Sequence, residues 1–291
     1  MVSELIKKYL KKVKNHTPKD DDDLKKDIGL DSLELISFFI FIEKSFGVVI
    51  KEKDFAKHLK LKTLCRHVSE RKTKIIKTDI TWKKILLDDY TLPLPSAGLS
   101  FLIIKYLSKL ILKLKYGLRI IRKIEFPPHP FIIVSNHQSY LDPAIISSHI
   151  PLSIFKNCYY YAKTDHFGTK RKREFASNHN IIMVDTKNAV RESILKLALC
   201  LRKKNSIIMF PEGTRTKNGS VGEFKRGFAL LSCGLNIPVV PVVINGAYKA
   251  VSTKGRKRIT IEFLDAINPE GFNQHTLTKE VYETINKRCK N

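Results

Sequence analysis

The sequence lacks paired cysteines. Its five cysteines are spread over 291 residues, and none forms a CxxC pair or a cluster with histidine. Zinc sites need such spacing, and disulfide frameworks use an even number of cysteines. We therefore expect a reducing compartment, no disulfide framework and no structural metal.

A long apolar run is also missing. Within residues 73–126 the longest charge-free stretch, residues 90–104, is interrupted by Pro93 and Pro95, whereas a membrane-spanning helix needs about 20 apolar residues. The first 12 residues are rich in lysine, and no apolar segment of signal-peptide length follows them. These absences predict a protein that stays in the cytoplasm and does not cross the membrane.

Acidic residues are scarce, because 28 Asp+Glu stand against 53 Lys+Arg and give a net charge of +25. This excess predicts an anionic partner. No helix-turn-helix, zinc-finger or RNP-type signature accompanies it, so we do not expect nucleic acid. An anionic membrane surface fits better, since each Lys or Arg near such a surface gains about 1 kcal/mol. We expect a peripheral (monotopic) protein on the inner face of the membrane.

The residues that are present divide the chain into three regions. Residues 1–72 indicate short helices with polar connections, residues 73–126 form a connector, and residues 127–291 alternate buried β-type runs with helical stretches. This alternation is typical of an α/β domain with a largely parallel or mixed sheet. We predict such a domain, with its sheet flanked by helices, behind a small all-α domain of four helices.

The connector contains a candidate interfacial helix in residues 99–121. One predicted face carries Lys105, Lys109, Lys113, Tyr116 and Arg119, interrupted by Phe101 and Leu112. The opposite face carries Ile103, Leu107, Leu110, Ile111, Leu114 and Leu118. Such a helix lies in a membrane interface or packs on the protein's own core. We favour the membrane interface.

A histidine and an aspartate follow the strand-like run 131–134, in the stretch Asn136-His137-Gln138-Ser139-Tyr140-Leu141-Asp142. An imidazole at a strand end can take a proton from a hydroxyl at neutral pH. A nearby aspartate can accept the other ring N–H and fix the tautomer. The alternatives are a loop histidine and a helix N-cap, since Asp142 precedes Pro143.

A second polar loop, residues 211–216, follows the strand-like run 206–210. Gly213 allows close approach to a ligand, and Arg215 offers a planar fork that binds phosphate oxygens in pairs. The Thr214 hydroxyl adds a donor, and the three residues together predict an anion-binding loop. The alternative is a polar turn whose arginine pairs with a surface carboxylate.

The order NHxxxxD, FPEGTR and IPVVPV resembles the 1-acylglycerol-3-phosphate (glycerolipid) acyltransferase family, over about residues 131–248. The resemblance implies that His137 is the general base and that Asp142 supports it. It assigns substrate binding to Asn136, Glu212, Gly213, Thr214, Arg215 and Pro241. It also implies that Pro241 belongs to a strand that shapes the acyl and acceptor pocket.

One position departs from the family pattern. Thr186 stands where an arginine that holds the acceptor's phosphate is expected, and Lys187 follows it. Lys187 or the cluster Lys170–Arg173 can substitute, but lysine is a point charge and lacks the arginine fork. The departure keeps a second acceptor class open, namely a non-phosphate or amine-bearing lipid.

The stretch Gly29-Leu30-Asp31-Ser32-Leu33-Glu34 resembles the attachment motif of acyl carrier proteins, over residues 1–72. Asp31 and Glu34 also predict a helix capping box, and a phosphate on Ser32 would lie at that helix N-terminus. The resemblance implies a covalent 4'-phosphopantetheine on Ser32, added by a phosphopantetheinyl transferase. Acyl carrier proteins are typically acidic, but residues 1–75 carry a net charge of +6. We therefore hypothesise that an unusual partner loads this domain, or that the domain delivers acyl groups only to the fused enzyme.

Together these motifs predict an O-acyltransferase of phospholipid biosynthesis. The acyl group would move from a thioester donor, acyl carrier protein or coenzyme A, to the hydroxyl of a lysophosphatidate-like lipid, and no metal is needed. The alternative from another class is a non-catalytic, membrane-attached acyl carrier whose second half only binds lipid. The pair His137 and Asp142 counts against that alternative, because a binding module has no need of both.

Overall fold

The computed structural model describes residues 1–14, 17–76, 81–88, 91, 93–185, 189–252 and 258–289. They form two compact units. The first unit comprises Met1–Asp88 together with Asp185–Arg191, and the second holds the rest of the described chain.

The first unit is helical. Its elements are α1 (Val2–Lys14), α2 (Ser32–Phe46), a 3-10 helix (Glu52–His58), α3 (Leu61–Arg71) and α4 (Trp82–Leu87). Aromatic rings fill much of its core, with Tyr9 stacked on Phe41 at 4.3 Å and Phe39 stacked on Phe55 at 4.0 Å. The small all-α domain is confirmed, with a 3-10 helix as the third of its four helical segments in residues 1–72.

The second unit is built on a sheet of seven strands: β1 (Arg119–Arg122), β2 (Ile132–Ser135), β3 (Cys158–Lys163), β4 (Ile181–Val184), β5 (Ser206–Met209), β6 (Val239–Asn245) and β7 (Thr260–Phe263). The spatial order is β1-β7-β6-β2-β5-β3-β4. Every neighbouring pair is parallel except β6 and β7, which run antiparallel. The predicted mixed, largely parallel sheet is therefore confirmed.

Helices cover this sheet: α5 (Leu99–Tyr116), α6 (Asp142–Ser147), α7 (Leu152–Phe155), α8 (Lys170–Ser177), α9 (Val190–Arg202), α10 (Gly227–Leu235), α11 (Ala247–Ser252) and α12 (Gln274–Asn286). A short 3-10 helix spans Thr164–Phe167. The central strands β2 and β5 are buried at every position. Strands covered on both faces read as unbroken apolar runs, which is why the sequence shows FIIV and SIIM there.

The region treated above as a connector contains α4, α5 and β1. Gly117, with φ of 57°, ends α5 in a left-handed conformation that favours glycine. Leu118 is therefore buried in the core, and Arg119 begins β1. The helical wheel drawn above was wrong to extend through these two residues.

The protein packs against only part of the lysine-bearing face of α5, because Lys109 and Lys113 of that face are exposed. Phe101, Lys105 and Leu112 are its buried residues, and Phe101 stacks on Phe155 at 4.4 Å. The apolar side chains of the opposite face within α5 are exposed, namely Ile103, Leu107, Leu110, Ile111 and Leu114, and Leu99 and Ile104 are exposed as well. Among the described residues, none covers most of the apolar face of this helix.

Lys105 is held by carbonyl groups next to the end of α6. Its ammonium donates to the Ser147 oxygen and, at 2.8 Å, to the Ile150 oxygen. It also lies 4.7 Å from the centre of the Phe155 ring. Burial lowers the Lys105 pKa to about 8. These contacts explain how a lysine can occupy the packed side of α5, since two of its three N–H donors are bonded to carbonyl oxygens.

Within the described ranges, none of the helices combines the length and apolar character needed to cross a bilayer. The same ranges contain no group of three or more His, Cys, Asp or Glu side chains arranged to hold a metal ion.

Candidate active site

Three chain segments meet at one edge of the sheet. Strand β2 lies between β5 and β6 and is parallel to both. The carboxyl ends of parallel strands lie at the same edge, where open α/β sheets bind their ligands. Three connections therefore leave the sheet side by side: the loop beginning at Asn136, the loop beginning at Pro211 and the turn at Gly246.

His137 and Asp142 are brought together by the first of these loops. His137 Nδ1 lies 2.8 Å from Asp142 Oδ2. A carboxylate can only accept, so Nδ1 carries the proton and Nε2 is left as the basic nitrogen. The imidazole stacks on Phe210, with ring centres 4.3 Å apart, and the His137 side chain is 18 % exposed. The ring is thus fixed on one side and partly open on the other.

The Asp142 carboxylate is fully buried and accepts three further hydrogen bonds. Oδ2 accepts from the backbone N–H groups of Gln138 and Ser139, at 2.6 and 2.8 Å. Oδ1 accepts from the Ser139 hydroxyl at 2.9 Å. The N–H donors precede Asp142 in the chain, whereas an N-cap side chain accepts from the helix that follows it. This geometry fits an orienting carboxylate better than an N-cap.

Glu212 connects two loops. One carboxylate oxygen accepts from the His137 N–H at 2.8 Å, and the other accepts from the Gly222 N–H at 2.9 Å. Burial raises the pKa of the Glu212 carboxyl, while these two N–H groups oppose the rise. The contacts indicate that Glu212 positions the histidine loop. Its contact with the substrate stays a prediction.

Gly213 has a φ of 69°, which explains the need for glycine between Glu212 and Thr214. The Thr214 and Arg215 side chains point to the surface and line a cavity of about 400 Å³. The remaining lining residues are Gln138, Ser139, Tyr140, Thr216 and Tyr248. Within the described residues no carboxylate pairs with Arg215. The arginine is therefore available to an anionic group in this cavity.

Two of the predicted substrate-binding residues form contacts between β2 and β6. The buried Asn136 amide exchanges two hydrogen bonds with the Ile244 backbone, at 2.8 and 2.9 Å, as a neighbouring strand would. Pro241 is buried in β6, opposite Val134 of β2. Neither side chain lines the cavity. Their contacts join β2 to β6 and so hold the histidine loop in place.

Five of the cavity-lining residues were not predicted from the sequence, and two of them, Gln138 and Tyr248, connect the loops of the site. The Gln138 side-chain oxygen accepts from the N–H groups of Ala247 and Tyr248 at the start of α11, at 2.9 and 3.3 Å. The Tyr248 hydroxyl donates to the Lys217 carbonyl at 2.7 Å. Gln138 lies between His137 and Asp142 and could have been considered with them. Tyr248 carries no signal in the sequence, because it reaches the site only through the turn at Gly246.

Ser32 lies at a separate place, in the first unit. It is exposed and is the first residue of α2. The Asp31 carboxylate accepts from the N–H groups of Leu33 and Glu34, and Glu34 accepts from the Asp31 N–H, so the predicted capping box is present. An exposed serine at a helix N-terminus is placed where a phosphate group is stabilised.

The residues that could replace the arginine expected in the family pattern lie in two places in the chain. Thr186 and Lys187 lie outside the described residues. The cluster Lys170–Arg173 forms the first half of α8, where all four side chains are exposed.

Two family models match the chain. Residues 117–245 match the model described as "Acyltransferase", and residues 2–68 match the model described as "Phosphopantetheine attachment site". These matches confirm the two resemblances drawn from the motifs, and they cover the His137 loop, the Glu212 loop and Ser32.

Curated relatives agree with the first model. A 1-acyl-sn-glycerol-3-phosphate acyltransferase of Cocos nucifera is 31 % identical, over 54 % of this chain and 52 % of its own length. The alpha form of that enzyme from Mus musculus is also 31 % identical, over 57 % of this chain and 62 % of its own length. The chain therefore spans between about half and three fifths of these relatives.

A solved structure shares the fold. The crystal structure of the 1-acyl-sn-glycerophosphate (LPA) acyltransferase PlsC from Thermotoga maritima matches with a TM-score of 0.52 and 24 % identity. The match covers 64 % of this chain and 77 % of that one.

We predict that Glu212→Ala destabilises the protein by about 2–4 kcal/mol, because two N–H groups lose their acceptor and each unpaired group costs about 1–3 kcal/mol. Glu212→Gln keeps one acceptor oxygen and should lose about half as much. Glu223→Ala, an exposed glutamate of the same loop, should change stability by less than about 0.5 kcal/mol. Urea unfolding followed by circular dichroism measures all three. Equal stability of Glu212→Ala and wild type would refute the positioning role.

Proposed function

We propose that this protein, whose chain joins an acyltransferase domain to a phosphopantetheine attachment domain, is an O-acyltransferase of phospholipid biosynthesis. It moves a fatty acyl group from a thioester to the hydroxyl of a lysophosphatidate-like acceptor. The observation that carries the proposal is the hydrogen bond between His137 and the buried Asp142, in the loop that contributes Gln138, Ser139 and Tyr140 to a cavity also lined by Arg215.

In this mechanism His137 Nε2 takes the proton of the acceptor hydroxyl while Nδ1–H stays bonded to Asp142. The acceptor oxygen forms a bond to the thioester carbonyl carbon. When the tetrahedral intermediate collapses, the C–S bond breaks and the leaving thiolate takes the proton from the imidazolium. Thr214 and Arg215 hold the acceptor's phosphate through the hydroxyl and the guanidinium fork.

The test supplies purified protein with acyl-coenzyme A and a panel of lysophosphatidate, lysophosphatidylcholine, glycerol phosphate and amino-lipids, and identifies products by mass spectrometry. We expect lysophosphatidate to be acylated. His137→Ala should lower the rate by about 10²- to 10⁴-fold, the usual contribution of general-base catalysis. His275→Ala, which removes an exposed histidine of α12, should retain activity.

The same panel decides the mechanism and the acceptor class. Near-normal turnover by folded His137→Ala protein would rule out the general-base mechanism. Acylation of an amino-lipid in place of lysophosphatidate would favour the second acceptor class, which Thr186 keeps open.

We further propose that Ser32 carries a 4'-phosphopantetheine arm, added by a phosphopantetheinyl transferase, and that this arm delivers acyl groups to the acyltransferase domain of the same chain. The exposed position of Ser32 at the start of α2 and the match to an attachment-site model support the proposal. Delivery within one chain is favoured because a tether raises the effective concentration of the donor, to the millimolar range for short flexible linkers.

Co-expression with a phosphopantetheinyl transferase should add the mass of one phosphopantetheine arm to wild-type protein and none to Ser32→Ala. Ser69→Ala, which changes an exposed serine of α3, should be modified normally. Ser32→Ala should slow transfer strongly when the fused carrier is the acyl source and have little effect with excess acyl-coenzyme A. If wild type stays unmodified where an ordinary carrier protein is modified, delivery by Ser32 is ruled out.

We also propose that α5 lies in the interface of an anionic membrane. Its exposed leucines and isoleucines offer an apolar face, and the exposed Lys109, Lys113 and Lys115 are suited to lipid headgroups. Acceptor lipids are found at such a surface.

Vesicle flotation tests the membrane proposal. The double variant Leu107→Glu/Leu114→Glu should lose most of its binding to phosphatidylglycerol vesicles, because two charges enter the apolar face. Lys279→Glu changes the net charge by the same two units on the exposed side of α12, and it should bind nearly as wild type does. Equal losses in both variants would show that only total charge matters and that α5 does not insert.

A further inference from the structure

Lys225 lies against the glycine of the Pro211–Thr216 loop. A Cβ added at Gly213 would lie 3.2 Å from Lys225 Nζ, 3.4 Å from Cε and 3.7 Å from Cδ. The end of the lysine side chain therefore runs along Gly213, the residue before Thr214 of the cavity wall, while Lys225 itself lies outside the set of residues that line the cavity. Lys225 is exposed to solvent, so its ammonium can meet a ligand.

The backbone on both sides of Lys225 is fixed to the same loop. The Lys225 N–H donates to the Pro211 carbonyl at 3.0 Å, and the Gly222 N–H donates to Glu212 at 2.9 Å. Between these two bonds Phe224 is buried, with its ring edge-on to Tyr282 at 5.3 Å. These contacts return the chain to the Glu212 loop after ten residues and place Lys225 there.

The loop thus holds two cations without a carboxylate partner. Within the described part of the chain neither Arg215 nor Lys225 forms an ion pair. The carboxylate next to Gly213, that of Glu212, is occupied by the N–H groups of His137 and Gly222. Two cations beside Gly213 and Thr214 favour a ligand group with more negative charge than a single arginine would favour.

We propose that Lys225 is the second cation of the acceptor-phosphate subsite and that the pair Arg215 and Lys225 selects a phosphomonoester headgroup over a phosphodiester. The inference rests on the proposed acyl transfer and names its acceptor class. A phosphomonoester carries a charge of about −1.5 to −2 and three terminal oxygens, whereas a phosphodiester carries one charge and two such oxygens. The arginine fork takes two oxygens, and the lysine ammonium takes the third.

The test compares wild type with the variants Lys225→Met and Lys225→Arg. Lys225→Met keeps the length of the side-chain stem and removes the charge. KM and kcat are measured for lysophosphatidate, for lysophosphatidylcholine and for acyl-coenzyme A. We expect Lys225→Met to raise the lysophosphatidate KM by about tenfold to a hundredfold, the value of a charged hydrogen bond. The other two KM values should change little, and Lys225→Arg should restore most of the loss.

Lys203→Met serves as the matched control, because this exposed lysine precedes β5 at the opposite edge of the sheet. It should leave all three KM values unchanged. An unchanged lysophosphatidate KM in Lys225→Met, or an equal rise for both phospholipids, overturns the inference.

A binding measurement separates this inference from the proposed function. Calorimetry in detergent micelles gives Kd for lysophosphatidate and lysophosphatidylcholine in a His137→Ala background, which needs no turnover. Tighter binding of lysophosphatidate that is lost in Lys225→Met supports the subsite even if no acyl transfer is found. Equal binding of the two lipids rejects the subsite even if acyl transfer is confirmed.

Discussion

The buried Asp142 carboxylate is the constraint on which the rest of the site depends. A charged group without access to water is tolerated only when hydrogen bonds compensate for its lost hydration. Here the His137 ring, two backbone N–H groups and the Ser139 hydroxyl supply four such bonds. All four donors lie within the five residues before Asp142. Satisfying the charge therefore closes the loop after β2 into one shape and fixes the imidazole in that shape.

The sheet brings the other groups to this loop. With β2 between β5 and β6, the residues that follow each strand meet at one edge. Glu212, which follows β5, accepts from the His137 N–H, and Asn136 pairs with the Ile244 backbone of β6. The histidine loop is thus held from both neighbouring strands. Side chains that look like ligands in the sequence can serve instead to set the position of the groups that meet the substrate.

The sequence predicted those parts of the fold and site that depend on local pattern. Unbroken apolar runs indicate buried parallel strands, and the spacing from His137 to Asp142 allows the pair to meet within one loop. The capping box at Asp31 and Glu34 is equally local, and it is present.

Features that depend on chain reversal were not predictable. Lys225 reaches Gly213 because residues 217–224 fold back on the loop, and Tyr248 reaches the cavity because Gly246 reverses the chain after β6. The side of α5 that packs on the protein also depends on tertiary partners. Lys105 is buried because carbonyl groups near the end of α6 accept hydrogen bonds from its ammonium, and a helical wheel contains no information about these acceptors.

The uncovered face of α5 has a consequence for the purified protein. Leu99, Leu110 and Leu114 are each more than half exposed, and contiguous apolar surface of this kind drives association in water. Without lipid or detergent, such faces on separate copies would pair with one another. The apparent molecular mass in solution would then depend on protein concentration and on the amphiphile present, so any oligomer would have to be measured in both conditions before it is attributed to the native state.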